Sequence, residues 1–109
     1  MATKKNKSLD LAALSAYADD HPAVFLFIVD SEEDGQEVAD ALNAIWVGDA
    51  WFEALIVARD AVLNKQPTPQ PLVLPTTAYF FQNFEQTFHK RAVQVSTILN
   101  YTMKSGEPK

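Results

Sequence analysis

Cysteine is absent from the 109 residues. Disulfides, thiolate zinc sites and cysteine nucleophiles are excluded together, and a cytoplasmic protein is the expectation. Glycine is scarce, with three residues. Neither G-x-G-x-x-G nor G-x-x-x-x-G-K occurs, so no phosphate-cradling loop and no nucleotide cofactor are expected. Long apolar runs are missing too. The longest, Ala23 to Val29, has seven residues, against roughly 20 for a membrane-spanning helix. The opening Met-Ala-Thr-Lys-Lys-Asn-Lys has no apolar stretch behind it, so no secretory leader and no membrane association are expected.

Basic residues are nearly absent from one part of the chain. Between residues 8 and 60 stand twelve acids and a single base, Arg59. The first seven residues carry three lysines, and residues 61–109 carry five bases against two acids. The overall charge of −5 conceals this division. An acidic chain repels nucleic acid, so no direct nucleic-acid binding is expected. The acidic block is either a solvated surface that aids solubility or a surface that meets a basic partner. That partner is another protein or the basic C-terminal part of a second copy.

What is present is material for one folded domain, at 48% apolar residues. Residues 1–7 read as a basic disordered tail and 104–109 as a polar one, around a domain at 8–103. Ser8 caps a first helix from Leu9 to about Asp19, ended before Pro22. Ala23–Val29 is short, apolar and β-branched; it reads as a short buried helix or as a strand. Asp30 and Ser31 cap a helix running to about Val47, with acids in its first turn that suit the helix dipole. Asp49 caps another, Ala50 to about Lys65. Four prolines between Gln66 and Pro75 give a stiff, extended connector between the acidic helical part, 8–65, and the segment that begins at Thr76.

The stretch from Thr76 to Met103 contains neither glycine nor proline. Phe81, Phe84, Phe88, Ala92, Val95 and Leu99 recur in steps of three and four, the spacing of one helix face. A single helix over 76–103 would be about 40 Å long. Phe80 and Phe81 are adjacent and would project about 100° apart on it, so one of the pair is a candidate contact residue. The aromatic set Phe80, Phe81, Phe84 and Phe88 is a core stripe or an intersubunit contact.

Few constellations suggest chemistry. Asp30, Glu32, Asp34 and Gly35 match the opening positions of an EF-hand calcium loop. Ala41 stands where the bidentate glutamate belongs, so a capped helix start explains the acids better. His21 follows Asp19 and Asp20, and His89 lies one helical turn from Glu85. Neither has a second histidine nearby, and no metal site is expected. No G-x-S-x-G or S-x-x-K accompanies the serines.

The expected fold is therefore mostly α, with four to five helices and a long C-terminal helix. The rival is an α+β arrangement in which a short strand at 23–29 pairs with 71–74. The expected function is a non-enzymatic protein–protein interaction module without cofactor. It acts as a homo-oligomeric assembly or adaptor protein through the aromatic helix. Alternatively, it is an acidic inhibitor, of a kind seen among mobile elements, that binds a basic, nucleic-acid-binding protein. Its contact surface would then be Asp30, Glu32, Glu33, Asp34, Glu37 and Asp40.

Overall fold

The apolar run behind Pro22 is a strand at the heart of a parallel sheet. In the computed structural model, which describes residues 10–67 and 70–98, the chain runs α1 (Leu11–Asp20), β1 (Leu26–Val29), α2 (Glu32–Leu42), β2 (Ile45–Trp46), α3 (Trp51–Leu63), β3 (Leu72–Pro75), α4 (Phe84–Phe88) and β4 (Ala92–Gln94). Residues 95–98 are helical. The tails expected at 1–7 and 104–109 lie outside the described residues. The strand order is β2-β3-β1-β4, and every pairing is parallel.

This α/β sheet overturns the expected mostly helical fold. The rival reading named two of the strands, since Leu26 pairs with Leu72 and Val29 with Pro75. It missed the class, because β1 also pairs with β4 and β3 with β2. A parallel sheet covered on both faces gives continuous apolar strands rather than alternating ones. That is the pattern of Phe25 to Val29, all buried.

Side chains of β1 divide between two cores. Leu26 and Ile28 face one side, with Leu74, Leu55 and Ala58 of α3, and Phe81, Phe84 and Phe88. Phe27 and Val29 face the other, with Val73, Leu14 of α1, Val38 of α2, and Val95 and Ile98. Thus α2 crosses one face while the chain moves to the β2 edge. Helix α3 and the segment 76–88 cross the opposite face while it moves back. Reversing both direction and face keeps one hand for all three crossovers, as twisted parallel strands require.

The long helix over 76–103 does not form. Thr76–Phe80 is a 3₁₀ turn, α4 spans only Phe84–Phe88, His89–Arg91 is a second 3₁₀ turn, and β4 comes next. Asn83 breaks the path with a left-handed backbone (φ 58°), a conformation asparagine tolerates better than most residues. The i, i+3, i+4 stripe is real only as far as Phe88. Beyond it Val95 and Ile98 belong to the opposite core, so the sheet itself divides the apparent stripe.

Smaller corrections concern helix ends. Asp10 caps α1, its side chain accepting from the Ala13 amide at 3.1 Å. Helix α2 stops at Leu42, not Val47, because Asn43 takes the left-handed C-cap (φ 56°) and frees Ile45 and Trp46 to pair with β3. Asp49 lies inside a 3₁₀ turn, Gly48–Ala50, and makes no side-chain cap for α3.

Candidate functional site

In an open parallel sheet, ligands bind outside the carboxyl ends of the strands, where adjacent strands send their chains to opposite faces. Here that point lies between β1 and β3. After Val29 the chain turns to the α2 face; after Pro75 it turns to the α3 face. A cleft of about 560 Å³ opens there. Asp30, Ser31 and Glu32 line it from the end of β1, Trp46 to Asp49 from the end of β2, and Pro75 to Thr77 from the end of β3; Trp51 completes the wall.

The local sequence explains each placement. Ser31 is the N-cap of α2, its Oγ accepting from the Asp34 amide at 3.2 Å. That leaves Asp30 at the strand tip and puts Glu32, Glu33 and Asp34 in the first turn, where the helix dipole favours them. Asp30 is held from the side by β4, whose Gln94 donates Nε2–H to Asp30 Oδ1 at 3.3 Å. The run Asp30–Gly35 is thus a strand end and a capped helix start, and not a calcium loop.

Trp46 is placed by two glycines. A Cβ built on Gly35 would overlap the six-membered ring of Trp46. One on Gly48 would lie 3.3 Å from its Nε1, and Gly48 has a φ of 50°. The indole therefore lies with its six-membered ring against the bare backbone of α2 and its Nε1 end beside the β2–α3 turn. Sequence reasoning read Gly35 only as a position of the calcium-loop pattern and connected neither glycine with Trp46. A glycine one turn into a helix, which costs about 1 kcal/mol against alanine, was the available sign of such a close approach.

The cleft carries three carboxylates, Asp30, Glu32 and Asp49, and no lysine, arginine or histidine. Acids in the first turn of α2 offset the attraction its amide ends would have for an anion. The hydroxyls of Thr76 and Thr77 add neutral polar groups. The arrangement suits a cation that can also lie on an aromatic ring. Just outside, Tyr79 has its phenol pushed above the ordinary 10.0 by burial first, then by the charges of Asp30 and Glu85.

The remaining predicted residues are spread along the fold. Glu33 and Asp40 are exposed on α2, while Asp34 and Glu37 are partly buried. Phe81, Phe84 and Phe88 are 6%, 6% and 0% exposed and lie within their own core, whereas Phe80 is 80% exposed. His21 ends α1, its Nδ1 2.9 Å from the Tyr17 carbonyl oxygen and its ring stacked on Tyr17 at 3.9 Å. His89 opens the 3₁₀ turn His89–Arg91. Among the described residues no three His, Cys, Asp or Glu side chains are grouped to hold a metal ion, and no helix is long and apolar enough to cross a membrane.

Compared with protein-family models, curated proteins and solved structures, the chain shows no significant match to any.

Proposed function

We propose that the chain is a non-enzymatic protein–protein interaction module that presents the carboxyl end of its sheet to a basic partner protein. One observation carries this reading: Asp30, Glu32 and Asp49 all line the cleft, from two strand ends, with no basic side chain among its lining residues. Glu33 is exposed in the same first turn of α2, whereas Asp40 is exposed near the far end of that helix. Charges gathered on one surface speed encounter with an oppositely charged partner and select against a like-charged one. A basic segment that normally contacts nucleic acid would fit such a surface, which supports an inhibitor role.

Calorimetric titration with poly-L-lysine tests this reading. Binding is expected at low ionic strength and should weaken as salt rises toward 1 M, where the screening length falls to about 3 Å. Absence of binding at low salt contradicts the proposal.

A second reading, self-assembly, rests on Phe80. An aromatic side chain 80% exposed is a candidate anchor between copies. It involves Phe80 alone from the aromatic set, since the other three serve the core. Light scattering behind a sizing column tests it: a monomer at high concentration removes this reading and leaves the first intact.

A further inference from the structure

We propose that the cleft between β1 and β3 is a receptor for the guanidinium of an arginine side chain, supplied by the basic partner. This deepens the reading above and rests on it. Shape is the first support. The cleft is an open concavity of about 560 Å³ with aromatic as well as acidic walls, a volume within the range of small-ligand sites. It lies at the switch point of the sheet, where the backbone of both neighbouring strands turns away and leaves a crevice.

The second support is the tryptophan wall. Both glycines among the described residues are spent on Trp46: Gly35 lets the indole ring lie on α2, and Gly48 admits its Nε1 edge. A ring seated on the bare backbone of α2, with its Nε1 end at the β2–α3 turn, has little rotamer freedom left to lose when a ligand settles on it. Trp51 lines the same cleft and meets Phe52 edge-on, their ring centroids 5.6 Å apart at 89°. Each indole is backed by a core, Trp46 by the one on the α2 side and Trp51 by the one on the α3 side, while it also lines the cleft.

The third support is what surrounds the rings. Asp30 and Asp49 stand at the mouth from two different strand ends, and Gln94 steadies Asp30. An aromatic face beside carboxylates matches guanidinium better than ammonium. Guanidinium is planar, stacks on indole, is weakly hydrated and offers paired N–H donors to a carboxylate. A lysine ammonium is a compact, strongly hydrated point charge that gains less from the rings. Phosphate and carboxylate ligands are refused by the same acids.

The test uses the full chain with ¹⁵N-labelled tryptophan, which gives one indole N–H signal each for Trp46 and Trp51. The probes are the capped tripeptides acetyl-Gly-Arg-Gly-amide and acetyl-Gly-Lys-Gly-amide, together with poly-L-lysine. The arginine peptide is expected to move both indole signals, to bind about tenfold tighter than the lysine peptide, and to weaken about tenfold in Asp30→Asn and in Asp49→Asn. Both positions are exposed, so either variant can report if the other fails to fold. If poly-L-lysine binds but the arginine peptide leaves both indole signals unmoved, or if the two tripeptides bind equally, the arginine receptor is overturned while the interaction module stands. If poly-L-lysine also fails to bind, both fall together.

Discussion

Gly35 and Trp46 touch backbone to ring, with no room for a single methyl group between them. The contact joins the first turn of α2 to the edge strand β2 and sets one wall of the cleft. Gly35→Ala would gain about 1 kcal/mol in helix propensity. It would also force a methyl into an occupied space, which costs about 1–3 kcal/mol. The helix cannot move away without pulling on Val38, fully buried in the same core. The expected result is a net loss of stability in denaturant melts and a shifted Trp46 fluorescence. A more stable protein with unchanged emission would show that Trp46 does not lie on Gly35.

The aromatic residues divide sharply. Phe88→Ala should cost about 3–5 kcal/mol, since the ring is fully buried and packs against both Phe81 and Phe84. Phe80→Ala should change stability by no more than about 0.5 kcal/mol. Chemical denaturation of the two variants side by side checks this. Equal losses would place Phe80 in the core.

Asn83 turns the chain into α4 with a left-handed backbone, φ 58°. Asn83→Gly is expected to be near neutral. Asn83→Ala should cost roughly 1–2 kcal/mol, because a β-carbon is strained at positive φ. Thermal unfolding of the pair decides it: an alanine variant as stable as the glycine variant would mean that residue 83 continues a helix.

Tyr79 links the cleft to alkaline pH. Its folded phenol ionises above its unfolded value of 10.0, mainly through burial, then through Asp30 and Glu85. The folded state therefore holds the proton longer than the unfolded state. The resulting stability is fully present below pH 10 and is lost as pH rises through the folded value. Tyr79→Phe should lose this alkaline dependence, and Asp30→Asn should lower the Tyr79 transition followed by ultraviolet absorbance. An unmoved transition in Asp30→Asn would mean the carboxylate does not face the ring.

Parts of this architecture were legible in the sequence, for reasons particular residues make plain. Ser31 with the acids behind it announced the start of α2, and Pro71 and Pro75 bracket the short apolar run that became β3. The sheet was hidden because β2 and β4 are two and three residues long, too short for periodicity to register. Between 81 and 88 the phenylalanine spacing reflects true burial. The same spacing then runs on by coincidence through β4, where Ala92 turns to one core and Val93 to the other. Of the cleft, the acids at 30–34 were readable. Trp46 and Trp51 were not, since their approach depends on strands that the sequence alone did not reveal.

The most direct test of the acidic cleft is charge reversal at matched cost. Asp30→Lys with Asp49→Lys changes the net charge by as much as Asp19→Lys with Asp20→Lys, but the second pair lies at the end of α1 that feeds the amino end of β1. The measurement is the affinity of each double variant for poly-L-lysine at low salt. The cleft pair is expected to lose binding by at least about tenfold, while the α1 pair stays within about threefold of the parent. Equal weakening by both pairs would contradict an acidic cleft as the binding surface, because only the total charge would then matter.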